Sequence, residues 1–390
     1  MRISTSMIFN MMQTNLNRAM EKMVEDQEKV SSMKKINKIS DNPIDAGKIY
    51  DFTSALNKIE QFERNVSYAQ SIGALQDKTL QSASDILTRI KELAVSQAGS
   101  ANATAQTRRS AALEIISLRQ ELLDDANTKL GARYIFSGFA DRTKAFSDYS
   151  SIIIPSPTNV GSPTIEASVT IPIEFNNHSY KINFISSSTF DLIDTTTGTT
   201  IYTNQSFSSG DEIRFAGIVL KIVNSPTAPV AGDSFDFSFT LPGAYHGDSG
   251  ISRVELEDSD FIQINLTGEQ VFKGVGVDSG MDIFGVVNDL IEALKNDDTS
   301  QIQDSLEALD TSSQQILDHL AIVGARTNLY DSIQQRLEDQ KYTFELLKSN
   351  YEDVDLAEAI TELTKSQTAY QAALGTSAKI SQLSLLDFLK

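Results

Sequence analysis

Counting in sevens from Ile302 gives Leu309, Ile316, Val323, Tyr330, Leu337, Phe344 and Tyr351, every one apolar or aromatic. The interleaved series, Leu306, Ser313, Leu320, Thr327, Gln334, Lys341 and Lys348, is mostly polar. A seven-residue period keeps one stripe of a helix facing a partner over many turns. At about 1.5 Å per residue the stripe runs on the order of 75 Å, longer than a compact domain needs. It therefore predicts the spine of an elongated helical rod. Leu309, Ile316, Val323, Leu337 and Phe344 are the expected rod core, packed against helices earlier in the chain. Such a part suits a filament or assembly better than an enzyme.

Composition narrows the function classes. The 390 residues carry a formal charge of −19 with no basic block, a poor match to nucleic acid or an anionic membrane. With 40% hydrophobic residues the chain can bury real cores,. There is no cysteine, hence no disulfide framework and no thiolate site. That fits a cytosolic protein, or an exported one whose route avoids oxidative trapping. No run of eighteen apolar residues predicts a membrane span. Met1–Arg2–Ile3–Ser4–Thr5 lacks the apolar core of a secretory signal,. The expectation is a protein that stays inside, or one that leaves by a route reading something else.

The breakers divide the chain. Seven of the eight prolines and twelve of the twenty glycines fall between residues 141 and 281. That pattern marks a loop-and-strand segment between helical flanks. The N-terminal arm, about Ile3–Met33, has helical spacing at Ile8, Met12, Leu16, Ala19, Met23 and Val30,. Seven of the eight methionines lie in the first 33 residues, and methionine suits a helix that packs against more than one neighbour. Ser40–Asp41–Asn42–Pro43 breaks the helix. Asp41 or Asn42 can cap the next one, and Pro43 suits its first position. A second helix should run to about Ala98 and a third over Thr107–Leu130.

In the middle, Ile152–Ile154, Ile171–Phe175, Tyr180–Ile185, Ile213–Val223, Phe235–Leu241 and Phe261–Leu266 read as strands of a small antiparallel sandwich or barrel. Helices resume near Asp282. Beyond Asp353 a new stripe, Leu356, Ile360, Leu363, Tyr370 and Leu374, leads to Leu383, Leu385, Leu386, Phe388 and Leu389. The expected fold class is α+β: an elongated rod of long helices from both chain ends, with a central antiparallel β-rich domain. The expected divisions are an assembly helix over 1–40 pairing with 355–390, a rod domain of 41–140 plus 282–354, and a β-rich outer domain over 141–281. Each terminal arm has one apolar face and little else, and an isolated amphipathic helix is marginal in water. Each arm needs a partner.

Three segments then resemble the flagellin superfamily. Ser40–Asp41–Asn42–Pro43–Ile44–Asp45–Ala46 is similar to the turn after that family's first helix. Asn127–Thr128–Lys129–Leu130–Gly131–Ala132–Arg133–Tyr134–Ile135–Phe136–Ser137–Gly138 resembles a segment of its hook–filament junction branch. Val323–Gly324–Ala325–Arg326, followed by Asp353–Val354–Asp355–Leu356–Ala357–Glu358–Ala359, matches the C-terminal pattern. The resemblance covers roughly 1–140 and 282–390. It implies a structural adaptor: a ring of copies between the hook side and the flagellin filament. It further implies contacts with the first hook–filament junction protein and with flagellin, a cytoplasmic export chaperone, and export through the flagellar type III channel. Its assembly and chaperone interface would use Ile8, Met12, Leu16, Met23, Ile360, Leu363, Tyr370 and Leu374. The rivals are a flagellin that forms the filament itself and a fibre protein whose β domain binds a ligand.

Site chemistry offers little. Gly247–Asp248–Ser249–Gly250 imitates a protease nucleophile turn, but His178, His246 and His319 are the only imidazoles, and none is placed as a triad base. No paired-histidine motif offers zinc. Asp278, Asp282 and Glu255–Glu257–Asp258–Asp260 lack calcium-loop spacing and read as a solvated acidic face. Gly274–Val275–Gly276–Val277 lacks the third glycine of a dinucleotide turn, and Arg108–Arg109 is too small for nucleic acid. The sequence therefore predicts no catalytic, cofactor or metal site.

Overall fold

The computed structural model describes residues 5–99 and 103–388, with side-chain surroundings for all of these except 5, 6, 8 and 380–388. The helices are α1 (Thr5–Ser32), α2 (Pro43–Ala98), α3 (Ala105–Ala126), α4 (Gly268–Lys273), α5 (Ile283–Lys295), α6 (Thr299–Glu352) and α7 (Leu356–Phe388). The strands are β1 (Lys129–Leu130), β2 (Arg133–Tyr134), β3 (Phe146–Ser147), β4 (Ser150–Pro155), β5 (Thr164–Val169), β6 (Tyr180–Ser186) and β7 (Thr189–Asp194). They continue with β8 (Thr199–Ser206), β9 (Glu212–Phe215), β10 (Ile218–Val223), β11 (Ser234–Thr240), β12 (Ala244–Tyr245), β13 (Arg253–Glu257) and β14 (Asp260–Gln263). Long helices from both chain ends thus flank a central antiparallel β region, an α+β fold. Among the described residues no helix is long and apolar enough to cross a membrane.

The chain forms two compact units, Met1–Val66 with Ser332–Lys390, and Ser67–Asp331. In the first, Asn42 rather than Asp41 caps α2: its Oδ1 accepts the amides of Ile44 and Asp45 at 3.2 and 3.3 Å. Asp41 instead accepts the Lys38 and Asn37 amides, which hold its carboxyl below the usual carboxylate range. Ile59, Phe62 and Val66 of α2 and Ile333 and Leu337 of α6 are buried. Further along, Phe52 sits 6.1 Å from Phe344 and 6.0 Å from Tyr351, ring to ring. Phe344 is only half-buried there.

The second unit holds two apolar cores. One gathers Leu80, Leu87 and Ile90 of α2, Ile115 and Leu122 of α3, Leu290 of α5, and Ile302, Leu309, Ile316 and Val323 of α6. The other lies between a five-stranded sheet, β4-β11-β6-β7-β8, and a three-stranded sheet, β5-β10-β9, all antiparallel. Its inward residues alternate along each strand, as a half-buried pleat requires: Tyr180, Ile182 and Phe184 on β6, Phe235, Phe237 and Phe239 on β11. The expected strand at Ile171–Phe175 is instead a turn in which the Thr170 and Ile171 amides both donate to Gly217 O. Pro172 within it has no amide to offer a ladder. The expected long strand Ile213–Val223 folds back as the hairpin β9–β10 through Ala216 and Gly217 at φ 43° and 74°.

Beyond Leu241 the chain leaves the sandwich. Tyr245, Leu266, Val271 and Phe272 join the helical core. There Phe272 packs edge-on to Phe136 and Phe146, at 5.4 and 5.5 Å. Alongside the apolar stripe of α6 runs a buried polar one, Ser305, Ser312, Gln315 and His319. Gln315 Nε2 donates to Val271 O at 2.7 Å and its Oε1 accepts from the Met281 amide at 2.8 Å. α6 is therefore covered on more of its circumference than a two-helix stripe needs.

Candidate assembly surfaces

In the first unit the end of α1 meets the start of α7. The Lys35 amide donates to Glu352 O at 2.6 Å, the Val354 amide donates to Met33 O at 3.1 Å, and Lys34 Nζ pairs with Glu352 at 2.5 Å. From that junction α1 and α7 run back along each other, antiparallel. The less exposed side of α1 is Met12, Leu16, Ala19, Met23, Asp26 and Val30; that of α7 is Ala359, Leu363, Ser366, Tyr370, Ala373 and Ser377. Both series step by four and three, the spacing of a two-helix seam.

The seam is thin. Alanines and serines fill four of the six α7 positions, and Asp26 is 4% exposed within the seam. Lys22 Nζ reaches Asp26 Oδ1 at 3.1 Å, while Asp26 Oδ2 is buried without a hydrogen-bond partner.

This arrangement divides the expected C-terminal stripe. Leu363 and Tyr370 lie in the seam, but Ile360 and Leu374 are 52% and 42% exposed. The reason is angular: Ile360 lies one residue, about 100°, past the buried Ala359, and two paired helices cover only a narrow arc. Met12, Leu16 and Met23 are half-buried on the α1 side. The Ile8 side chain and those of Leu383, Leu385, Leu386, Phe388 and Leu389 lie outside the described residues. Around the seam α1 also exposes Met7, Phe9, Met11, Met20 and Val24. The arms thus present apolar surface on their outer side even when paired.

The second unit builds a rigid corner from the segment after α3. Asn127 ends that helix. Its Nδ2 donates to Leu123 O and Phe146 O, and its Oδ1 accepts the Phe146 amide, all within 3.0 Å. Phe136 is fully buried, and its carbonyl accepts from the Gly268 amide at 2.7 Å and Tyr245 Oη at 3.1 Å. Burial pushes the Tyr245 hydroxyl up to about 12. Gly138 has φ +66°, and a Cβ there would come within 2.4 Å of Asp248 O. Only glycine allows that approach.

The turn that resembled a nucleophile elbow is the latch of this corner. Asp248 Oδ1 accepts the Phe139 and Gly250 amides at 2.7 and 2.8 Å, and the Asp248 amide donates to Ser137 O. Ser249 and His246 point to solvent. The corner leaves Phe139 66% exposed. Beside it lies a groove of about 490 Å³ lined by Tyr68, Ile72, Leu130, Arg133, Tyr134 and Ile264.

Other singled-out residues have structural partners. Arg108 is buried and holds Gln97 O, Thr299 and Asp297. Asp282 caps α5 and pairs with Lys273, and Gly274 ends α4 in the left-handed conformation. Among the described residues no three His, Asp or Glu side chains converge as metal ligands. Sequence reasoning did not single out Asn127 as a latch, Asp26 or Phe139. The only prior signal for Phe139 was its place after a glycine.

Residues 3–141 match the bacterial flagellin N-terminal helical region, and residues 306–389 match the bacterial flagellin C-terminal helical region. Over 149 residues, 38% of this chain and 47% of the relative, the sequence is 28% identical to flagellar hook-associated protein 3 of Escherichia coli K12. The Salmonella typhimurium protein of the same name is 25% identical over 147 residues, 37% of this chain and 46% of that one. The chain thus spans about half the length of the curated relatives it matches. A solved structure from Vibrio parahaemolyticus, of a protein assigned as flagellar hook-associated, shares the fold. It has a TM-score of 0.52 at 14% identity and covers 80% of this chain and 100% of that one.

Proposed function

Because the chain belongs to the flagellin superfamily, we propose that it is a structural adaptor of the bacterial flagellum, joining the hook side to the flagellin filament as a ring of copies. Its work is done by surfaces rather than by a reaction. The observation that carries this reading is the pairing of the two matched ends. α1 and α7 lie together through a thin seam and still expose Phe9, Met20, Val24, Ile360 and Leu374. Apolar surface of that kind, on both arms of one hairpin, is what an assembling subunit must bury against its neighbours. The two curated relatives reported above are both named flagellar hook-associated protein 3, which favours the junction over the filament.

The partners on this reading are further copies, the first hook–filament junction protein, flagellin and, before assembly, a cytoplasmic export chaperone. The chaperone would take the exposed side of α7, read through spaced anchors as a helix in a groove is. Leu374 is the cleaner anchor to test, because Leu363 also serves the seam. Leu374→Asp should weaken chaperone capture and leave the helical core intact by circular dichroism. Export would use the flagellar type III channel.

Deletion of the gene, followed by electron microscopy, tests the whole reading. Hooks without filaments, with flagellin shed into the medium, are the expected result. Normal filaments on the deletion strain overturn it. Long filaments grown from the purified chain alone would make it a flagellin instead.

A further inference from the structure

The second unit carries two features that the terminal arms do not explain. The first is the Phe139 corner. Residues 127–147 hold Lys129, Arg133, Arg142 and Lys144 against the single acid Asp141, on a chain whose net charge is −19. Arg133 lines the groove beside Phe139 and is paired with Asp141 at 3.3 Å, with its side chain 64% exposed. Lys129 Nζ lies 4.4 Å from the centroid of the Tyr134 ring. An exposed aromatic ring, fixed by the Asp248 latch and with Arg133 in the groove beside it, is a pre-organised knob. Its ordering cost is met within the fold and not at the moment of contact.

The second feature is a groove of about 430 Å³ between α5 and α6, lined by Val286, Asp289, Glu292, Asp304, Ser305 and Ala308. Val286 and Ala308 give it apolar surface, and Asp289, Glu292 and Asp304 make it acidic. Lys295 pairs with Glu292 at 2.8 Å, and no basic residue lines the groove itself. The Asp289 carboxyl is held above its usual range, by burial first and then by the Asp282 and Glu292 carboxylates. A cation delivered to this groove relieves that repulsion.

We propose that the Phe139 corner of one copy docks into the α5–α6 groove of the next, Arg133 facing Asp289 and Asp304 and the Phe139 ring covering Val286 and Ala308. The occupant is a second copy because the two surfaces are complementary in charge, each offers apolar area, and every copy carries both. Knob and groove are different surfaces, so the contact is heterologous, and a repeated heterologous contact that closes gives a ring. The inference rests on the junction reading above and supplies that ring with a contact outside the terminal arms.

The chain has no cysteine, so introduced thiols report alone. The full chain carrying both Ala132→Cys and Gln301→Cys, exposed positions lining the two surfaces, is expressed in the deletion strain. Isolated flagella are treated with a short bis-maleimide and run on a denaturing gel. The expected result is a ladder of dimers, trimers and higher species, absent from either single variant. Adding Arg133→Glu should abolish the ladder, and adding Asp304→Arg to that variant should restore it. Circular dichroism of each purified chain checks the fold. A product that stops at the dimer indicates a two-fold contact and overturns the proposal. The amount of chain in the flagella separates the two readings. Chain present without a ladder overturns this contact alone, and chain absent overturns the junction reading and this contact with it.

Discussion

Ile316→Ala tests how the helical core is held. Ile316 is fully buried, on the face of α6 that joins Leu309 and Val323 in the core of the second unit. Its immediate neighbour Leu317 points the other way and is 45% exposed. The pair thus isolates burial from helix propensity at one place. Truncating Ile316 removes three buried carbons, about 2.4 kcal/mol at ~0.8 kcal/mol each. The cavity adds to this by an amount set by how far the site relaxes, for a total of about 2–5 kcal/mol. Relaxation is restricted here. The buried polar stripe beside Ile316 is tied down, with Gln315 bonded to Val271 O and the Met281 amide. The upper half of the range is therefore expected. Urea unfolding followed by circular dichroism at 222 nm reads it: with m about 3 kcal/mol per M, the midpoint should fall by roughly 1.2–1.7 M. Leu317→Ala should shift it by less than about a quarter of that, since surface changes stay within ~0.5 kcal/mol. Equal shifts for the two variants, or none for Ile316→Ala, would refute the placement of this stripe.

Three further outcomes are expected. Replacing Asp26 by Leu fills the α1–α7 seam and removes a buried carboxylate oxygen that has no partner. Lys22, its ion-pair partner, is half exposed and is left in water, so the hairpin should gain about 1–3 kcal/mol, the cost of a buried polar group without a hydrogen bond, seen as slower amide exchange across α1; unchanged or faster exchange would count against the seam. His319 is buried with Nδ1 unpartnered, and burial lowers its proton affinity below the ordinary 6.5. The unfolded chain therefore binds that proton more readily, so stability is full above about pH 6.5 and declines as pH falls through and below that value,. His319→Gln should flatten this part of the Tm–pH profile, and a profile identical to the parent's would remove His319 as its cause. We also propose that residues 148–241 fold alone, because the sandwich core spans Ile165 to Phe239 while Phe146 and Tyr245 belong to the helical core. A random-coil circular dichroism spectrum from that fragment would show the sandwich depends on its neighbours.

The sequence by itself determined the elements whose signal is local and repeated. The heptad from Ile302 appears as one continuous helix, α6, with Ile302, Leu309, Ile316, Val323, Tyr330 and Leu337 all buried. Pro43 opens α2, and the proline- and glycine-rich middle is antiparallel β structure. Such features depend on spacing along one strand or helix, which the chain carries in itself. Tertiary structure decided whatever depends on residues far apart. It split Ile360 and Leu374 from Leu363 and Tyr370, because which arc of α7 is covered depends on where α1 lies. It turned Gly247–Asp248–Ser249–Gly250 into the latch of a corner more than a hundred residues earlier, because a carboxylate bonds whatever amides the fold brings to it. It also set the cationic Phe139 corner and the acidic α5–α6 groove on one compact unit, an opposition of charge that a linear reading of a uniformly acidic chain does not reveal.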